Sequence, residues 1–210
     1  MTWIKSILPE AAEGRLKTIY DRVKSPARPD GTGGRVDNIL MAHSLRPHGL
    51  EGHMALYKAV LHHSANRLEL WLLEAIGTHV SHLNECRYCV EHHFTGLKRL
   101  LGDEARAEEM RMALTGGDLG AVFEGPELAA LEYAAKLTQA PAVVSEGDIE
   151  ALRAAGLEDG EILEINQVTA YFAYANRTVL GLGVGLEGDE LGLSPSESDD
   201  STDPGSWGHS

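Results

Sequence analysis

Apolar residues recur at steps of three and four along almost the whole chain up to Leu182. This spacing places them on one face of an α-helix, because a helix has about 3.6 residues per turn. We find no internal repeat, and no stretch in which apolar and polar residues alternate as they do in a half-buried strand. The pattern predicts an all-α chain with helices over residues 9–24, 36–45, 49–63, 67–83, 86–101, 103–114, 126–139, 146–155 and 159–182.

Capping residues mark several of these predicted boundaries. Asp103 and Ser145 can accept hydrogen bonds from the first backbone N–H groups of the helices that follow them. Gly116 and Gly117 can end the helix that begins at Asp103, since glycine readily adopts the left-handed backbone conformation. Residues 25–34 are rich in Pro and Gly, so we expect a loop there. No break in composition divides the chain before its C-terminal end, which predicts a single helical domain.

The negative charge of the chain is concentrated at its C-terminal end. The formal net charge is −14, from 32 acidic residues against 18 Lys and Arg, and seven of the acids fall within residues 187–210, which contain no Lys or Arg. Ser, Gly, Asp and Pro dominate this segment, so it can bury too little apolar surface to offset the entropy of ordering it. We therefore expect a helical domain over residues 1–186 and an acidic, disordered tail over residues 187–210.

The same charge argues against two classes of partner. A strongly acidic chain repels the phosphate backbone of nucleic acids and the surface of anionic membranes. No apolar run reaches the roughly 18 residues that a membrane span requires. The N-terminal segment lacks both the apolar core and the small-residue cleavage site of a signal peptide. We therefore expect a cytoplasmic protein that binds neither nucleic acid nor membrane.

Cys86 and Cys89 are the only cysteines of the chain. A disulfide between them closes so short a loop that it removes little entropy from the unfolded chain, so the pair does not staple the fold. A CxxC pair in a cytoplasmic chain is instead typical of redox chemistry or of metal binding. A third interpretation is that they are two ordinary buried small side chains.

The spacing around the cysteines favours dithiol chemistry. In a helix, Cys86 and Cys89 lie one turn apart, close enough for a disulfide after slight adjustment, and His93 follows Cys89 by another turn. An imidazole at that position can accept the thiol proton or stabilise the thiolate. If the helix begins at Asn84 or Glu85, Cys86 lies in its first turn, where unpaired backbone N–H groups favour a thiolate.

A zinc site is an alternative for the same region. One stripe of a continuous helix would hold four candidate ligands, His82, Cys86, Cys89 and His93. They would span about 16 Å along the axis, too far for bonds of about 2.0–2.3 Å to a single ion. Zinc therefore needs a break in the helix or ligands from elsewhere. A break near Asn84 is expected, because one helix over residues 67–101 would be unusually long, and Glu74 can then fold back toward the thiols.

The spacing Glu-x11-Cys-x2-Cys-x3-His is met by Glu74, Cys86, Cys89 and His93. This pattern resembles that of the alkylhydroperoxidase D-like proteins of the carboxymuconolactone decarboxylase superfamily. The surrounding sequence most resembles the uncharacterised peroxidase-related branch of this superfamily. The segments that carry this likeness are HGLEGHMALYKAVLHH, LNECRYCVEHH and YFAYANRTVLGLGVGLE. The resemblance extends over most of residues 1–190 and leaves out the acidic tail.

The resemblance implies an all-helical fold with the motif on a helical hairpin, assembled as a dimer, trimer or hexamer. It also implies that the thiols cycle between dithiol and disulfide, with Cys89 as the more acidic, peroxide-reactive thiol and Cys86 as its disulfide partner. His93 would lie beside the reactive thiol, and Glu74 would join a proton relay through water or His93. No resident cofactor is implied, and the electrons would come from a lipoylated protein or another dithiol.

One residue departs from the pattern of some members, which carry a second imidazole between the cysteines where this chain has Tyr88. A relay that uses that histidine cannot operate identically here. The lactone decarboxylases of the superfamily generally lack the CxxC pair. We therefore expect a thiol-dependent reductase of hydroperoxides or disulfides. The alternatives are an oxidant-sensing or zinc-binding oligomeric module and a lactone decarboxylase-like enzyme.

Other polar residues carry weaker signals. His79, His82 and His92 crowd the motif, and each is expected to be a polar or interface residue rather than a ligand or base. Asn176 and Arg177 can face the thiols, a subunit interface or solvent. Further histidines that can line a pocket are His43, His48, His53, His62 and His63.

Overall fold

The computed structural model describes residues 2–24 and 34–192, and these residues form helices and turns with no strand. The predicted all-α class is therefore confirmed. In chain order the α-helices of the described ranges are α1 Gly14–Val23, α2 Asn38–Ala42, α3 Pro47–Tyr57, α4 Leu70–Leu83, α5 Arg87–Leu101, α6 Glu104–Gly116, α7 Gly125–Gln139, α8 Glu146–Ala154 and α9 Asp159–Leu182. A π-helical turn, Lys58–His62, extends α3, and short 3-10 turns occur at Pro9–Ala11, Leu119–Ala121 and Pro141–Val143.

The predicted capping residues lie at helix ends. Asp103 accepts a hydrogen bond of 3.0 Å from the Arg106 backbone N–H at the start of α6. Ser145 forms a capping box with Asp148 at the start of α8. Gly117, with a φ of 87°, ends α6 in the left-handed conformation that glycine adopts without steric cost. These three boundaries were predictable because the capping residue itself satisfies the unpaired backbone groups.

Three predicted helices are shorter than expected, and α2 covers only Asn38–Ala42 of the predicted residues 36–45. The helix predicted over residues 9–24 is interrupted, because Ala12 and Glu13 are extended and Gly14 has a φ of 55°. Ala12 is buried in the core that α1 forms with α2 and α3. Helix α4 begins at Leu70 rather than near residue 67, because the backbone N–H groups of Arg67 and Leu68 bond to the Glu164 carboxylate instead, at 3.0–3.1 Å.

Helix α4 is the centre of the fold. Every residue from Leu72 to Ser81 is buried, and α4 packs against α5, α7 and α9. A helix that is enclosed on all sides is expected to be apolar, yet α4 carries the buried polar residues Glu74 and Thr78. The crossing with α9 is close, since a Cβ at Gly77 would overlap the ring of Phe172. The Thr78 hydroxyl donates to the Glu74 backbone carbonyl within α4, whereas the Glu74 carboxylate needs a partner on a neighbouring helix.

The two cysteines lie where three elements meet. A small buried cluster joins Ala42 at the end of α2, the cysteines at the start of α5, and Val179 near the end of α9. The contact between α4 and α5 forms the helical hairpin that the resemblance implies. The fold thus brings α2, α4, α5 and α9 together around the CxxC pair.

The segment that follows α9 packs against α2 and α5. The Asn38 side chain donates to the backbone carbonyls of Gly185 at 2.8 Å and Glu187 at 3.1 Å. Residues 187–192 belong to the stretch predicted to be a tail, whereas residues 193–210 and most of the predicted 25–34 loop lie outside the described residues. The domain boundary at residue 186 stays a prediction. Within the described ranges, no helix is both long enough and apolar enough to cross a membrane.

Candidate active site

A tight turn between α4 and α5 places the cysteines. Glu85 has a φ of 57°, a left-handed conformation that is uncommon for a residue other than glycine. The backbone N–H of Cys86 then donates to the Ser81 carbonyl at 2.8 Å, which closes the turn. The break expected near Asn84 is present, and it converts one long helix into a hairpin. Strained backbone of this kind is often found at functional sites.

Cys86 and Cys89 occupy the first turn of α5. Cys86 is the N-cap residue, and Cys89 follows at the third helical position. Both thiols are free and buried, with exposed fractions of 0 % and 3 %. An N-cap side chain is placed to accept a hydrogen bond from the backbone N–H two or three residues later. Among the described residues, the Cys86 sulfur makes no capping hydrogen bond of this kind, although Cys86 occupies the N-cap position.

The two thiols differ in acidity. The Cys89 thiol donates to the Cys86 sulfur, and this hydrogen bond lowers the pKa of Cys86 although burial opposes it. The same hydrogen bond, followed by burial and the negative charge on Cys86, raises the pKa of Cys89 well above its ordinary value. These directions run opposite to the implied order, with Cys89 as the more acidic thiol, and that order stays a prediction.

Glu74 and His93 form a buried pair across the hairpin. His93 Nδ1 donates to Glu74 Oε2 at 2.7 Å, and the side chains are 13 % and 1 % exposed. Gly96 lies against the carboxylate, since a Cβ there would stand 3.3 Å from its carbon atom. The ring of Phe172 meets the imidazole edge-on at 4.5 Å between centroids and fixes its orientation. Glu74 therefore folds back toward α5 as expected, with His93 as its partner.

His93 follows Cys89 by four residues on α5, so both lie on one face of the helix, about 6 Å apart along its axis. Tyr171 of α9 faces this region as well. Its pKa is raised well above the ordinary value, first by burial and then by several neighbours that include Cys89 and Glu74. A tyrosine in this state keeps its proton at neutral pH. No feature of the sequence distinguishes Tyr171 from the other buried residues of α9.

Asn176 is a buried polar residue of α9 near the two cysteines. It is fully buried, and its side chain approaches both Cys86 and Cys89. Its carboxamide also bonds to Ser81 and Asn84, at 3.0 Å and 2.9 Å. Of the three predicted environments, the thiols, a subunit interface and solvent, Asn176 thus lies toward the thiols. Arg177 is exposed and donates to the carbonyl of Ala173.

Tyr88, the residue between the cysteines, points toward the C-terminal segment. Its hydroxyl donates to Asp189 Oδ2 at 2.6 Å, and its ring lies 4.5 Å from that of His92. Asp189 also accepts from the backbone N–H of Asn38 at 3.0 Å. Burial raises the pKa of the nearby Asp37 to about 6. Composition alone assigns Asp189 to the acidic tail, and it does not predict these contacts with Tyr88 and Asn38.

The remaining histidines take structural positions. His79 is buried, and its Nδ1 donates to the Leu114 carbonyl at 2.7 Å. His82 is exposed at the end of α4. His43 and His53 stack at 4.7 Å between centroids, and His53 also contacts Tyr171. No group of three or more His, Cys, Asp or Glu side chains is arranged to hold a metal ion within residues 2–24 and 34–192.

Similar solved structures share this architecture. An uncharacterised peroxidase-related protein from Silicibacter sp. is 26 % identical, with a TM-score of 0.70 over 88 % of this chain and 91 % of its own. A second one, from Ralstonia eutropha and described as an alkylhydroperoxidase AhpD core, is 24 % identical, with a TM-score of 0.69 and the same coverage. The debrominase Bmp8, solved with 2,3,4-tribromopyrrole, is 17 % identical, with a TM-score of 0.65 over 90 % of this chain and 95 % of its own.

No model of a known protein family matches the chain, and no curated protein matches it. The assignment therefore depends on the structural neighbours together with the motif. The likenesses to Bmp8 and to the Ralstonia eutropha protein show the fold alone, whereas the Silicibacter protein is also 26 % identical in sequence over most of the chain. The structural neighbours and the motif together support the alkylhydroperoxidase D-like superfamily for this chain.

Proposed function

We propose that this protein is a thiol-dependent reductase that cycles Cys86 and Cys89 between dithiol and disulfide, with an organic hydroperoxide as the first substrate to test. The observation that carries the proposal is the first turn of α5. Two free thiols lie there within one helical turn, and Cys86 occupies the N-cap position, where the helix N-terminus favours a thiolate beside a second thiol. The similarity to peroxidase-related proteins supports the same chemistry.

The first half of the cycle consumes the peroxide. The Cys86 thiolate attacks the terminal oxygen of R–O–OH, an S–O bond forms, and the O–O bond breaks. The leaving alkoxide takes up a proton and departs as ROH, which leaves a sulfenic acid on Cys86. The Cys89 thiol then attacks the sulfenic sulfur, the S–S bond forms and water leaves. One hydroperoxide and two thiols thus give one alcohol, one water and one disulfide.

The acidity of the thiols favours this order of attack. The resemblance alone implies that Cys89 reacts first, but the pKa of Cys89 is raised and that of Cys86 is lowered, which favours Cys86 as the attacking thiol. Protonated Cys89 is suited to the second step, in which its proton helps to form water. Replacing each cysteine by serine and trapping the sulfenic acid with dimedone tests this assignment. We expect the trapped adduct on Cys86 in Cys89→Ser, and a much slower reaction in Cys86→Ser.

The buried Glu74–His93 pair would manage the protons of the cycle. His93 donates from Nδ1 to Glu74, so its other ring nitrogen is the one available to exchange a proton in the site. The protonated Tyr171 hydroxyl is a further donor on the Cys89 side. General acid–base groups held in this way contribute about 10²- to 10⁴-fold to a rate.

The second half of the cycle needs an external reductant. We propose a dithiol donor, such as a lipoylated protein, which reduces the Cys86–Cys89 disulfide by thiol–disulfide exchange and supplies two electrons and two protons. If the protein reduces other disulfides instead of peroxides, the same external dithiol would regenerate the Cys86 and Cys89 thiols. We also propose that the protein is a homo-oligomer, which light scattering of the purified full-length chain would measure.

Steady-state turnover tests the proposed function. Consumption of cumene hydroperoxide is measured with dihydrolipoamide as reductant, and the wild type is compared with Cys86→Ser and Cys89→Ser. We expect catalytic turnover that both substitutions abolish. Zinc retained by the purified protein, with no peroxide consumption, would instead support the metal-binding alternative. Reduction of a small disulfide without peroxide turnover would assign the site to disulfide exchange.

A further inference from the structure

We propose that Asp189 positions residues 184–192, here called the C-terminal strap, as a cover over the two cysteines, and that substrates reach the thiols when this cover opens. The strap follows α9, and Asp189 ties it to Tyr88 of α5 and to Asn38 of α2. Asp189 acts through these contacts and is therefore a positioning residue. The consequence for turnover rests on the proposed function, whereas the accessibility of the thiols is measurable without any substrate.

Apolar side chains of the C-terminal strap pack against the CxxC turn. Val184 is 7 % exposed and lies in one buried cluster with both cysteines and Tyr88, and Leu186 packs against the same cluster. The thiols are buried there, so a peroxide gains contact with sulfur only after a covering segment moves. The other residues that cover the pair in this cluster belong to helices α2 and α9, whereas the strap lies outside any helix. A non-helical segment of this kind opens at lower cost than a packed helix.

Asp189 is the point at which the C-terminal strap is fixed to both neighbouring helices. Its carboxylate accepts from the Tyr88 hydroxyl at 2.6 Å and from the Asn38 backbone N–H at 3.0 Å and 3.1 Å. The Asn38 side chain donates in turn to the strap carbonyls of Gly185 at 2.8 Å and Glu187 at 3.1 Å. Hydrogen bonds to a carboxylate are stronger than those between neutral groups. Loss of the Asp189 side chain therefore releases the strap from α2 and α5 at once.

Tyr88 makes this anchor part of the CxxC motif. It lies between the two cysteines in the first turn of α5, and its hydroxyl also accepts from the Ile39 backbone N–H at 3.3 Å. At the far end of the C-terminal strap, Arg99 of α5 donates to the Gly192 carbonyl. The strap thus lies along α5 from the cysteines onward, and its anchor is in the same helical turn as the reacting thiols.

The charges around Asp189 weaken the anchor. Asp37 and Glu190 lie close by, and burial raises the pKa of Asp37 to about 6, with a further rise from the negative charges of Asp189 and Glu190. At neutral pH most Asp37 side chains are therefore ionised and repel Asp189. His92 Nε2 lies 3.5 Å from Asp189 Oδ2 and attracts the carboxylate only in its protonated form. An anchor among like charges is suited to a cover that opens and closes.

The test is the rate at which N-ethylmaleimide alkylates the two cysteines in the reduced, folded, full-length protein. Asp189→Ala should speed alkylation by about 10- to 100-fold, as expected for losing hydrogen bonds to a charged group. Asp189→Asn loses the charge but keeps an acceptor oxygen for the Tyr88 hydroxyl, so its rate should lie between those of the wild type and Asp189→Ala. Equal rates in Asp189→Asn and Asp189→Ala would assign the effect to the lost charge and reject the anchor.

A pair of tyrosine variants tests the same anchor from α5. Tyr88→Phe keeps the ring and the charge of Asp189 but removes the hydrogen bond between them, and alkylation should become about tenfold faster. Tyr133→Phe is the matched control, because it also removes the hydroxyl of a buried tyrosine, one that accepts from Asn166 Nδ2 at 3.0 Å. We expect its alkylation rate to differ from that of the wild type by less than about twofold.

Turnover separates a cover from a residue that only stabilises the fold. Release of the C-terminal strap raises the fraction of molecules that can bind substrate, so Asp189→Ala should lower the KM for cumene hydroperoxide more than it changes kcat. Wild-type alkylation rates in Asp189→Ala would overturn the inference. If that variant does not fold, Tyr88→Phe decides, and a wild-type rate there would reject the anchor. Faster alkylation in a protein without peroxide turnover would support the cover while rejecting the proposed function.

Discussion

Removing the imidazole of His93 should destabilise the protein by more than the lost packing of that side chain explains. The Glu74 carboxylate is 1 % exposed, and among the described residues its side chain is hydrogen-bonded to His93 alone, at 2.7 Å. His93→Leu would leave that carboxylate buried without a partner. Breaking a buried pair from one side typically costs about 3–5 kcal/mol. We expect a loss of this size in the free energy of unfolding.

Adding Glu74→Leu to His93→Leu should restore much of that stability. In Glu74→Leu/His93→Leu both polar groups are gone, and replacement of a buried pair by apolar side chains of similar volume is often close to neutral. The double variant should therefore be more stable than His93→Leu alone, by about 2 kcal/mol or more, although it carries one more change. Peroxide turnover should remain low in both, since neither retains the pair.

Urea unfolding at neutral pH measures all four corners of this cycle. His82→Leu is the control, because His82 is an exposed histidine on the same hairpin, and it should change the free energy of unfolding by less than about 0.5 kcal/mol. Additive losses from Glu74→Leu and His93→Leu would refute the reasoning. So would recovery of turnover in the double variant, because the pair would then have no part in the chemistry.

Two further predictions concern packing and pH. Gly77→Ala should lower the free energy of unfolding in urea by about 1–3 kcal/mol, because the added Cβ would overlap the Phe172 ring. The control Gly52→Ala has nothing within 4 Å of the added carbon and should stabilise α3 by up to about 1 kcal/mol. A gain from Gly77→Ala would contradict the close crossing of α4 and α9. Burial raises the pKa of Asp37 to about 6 from 3.8, so the folded state holds this proton more tightly than the unfolded chain does. The free energy of unfolding of the wild type should therefore fall by about 2–3 kcal/mol as the pH rises from 4 to above 6. Asp37→Asn should lack that component and exceed the wild type in stability at pH 8 but not at pH 4, and equal differences at both values would reject the assignment.

Residues whose role is local were predictable from the sequence. Asp103 and Ser145 cap helices through their own side chains, so neighbouring sequence is enough to place them. The motif likewise fixes Glu74 and His93 relative to the cysteines, and the expected break near Asn84 brings them together. Each of these inferences uses spacing within one helix or one hairpin.

Residues that act across helices were not predictable in the same way. Tyr171 reaches the site because α9 crosses α4 and α5, and nothing in its local sequence indicates this contact. Asp189 bonds to Tyr88 although its composition assigns it to an acidic tail. The acidity of Cys86 and Cys89 likewise depends on burial and on contacts made in the fold, which their spacing in the sequence does not reveal.

The mass of the peptide that contains Cys86 and Cys89 tests the central claim most directly. The reduced protein is treated with one equivalent of cumene hydroperoxide, alkylated and digested. Dithiol chemistry predicts the loss of two hydrogens, confined to this peptide and reversed by dihydrolipoamide. The chain has no other cysteine, so no competing disulfide within one chain can obscure the result. Thiols that stay fully alkylatable after this treatment would contradict the account.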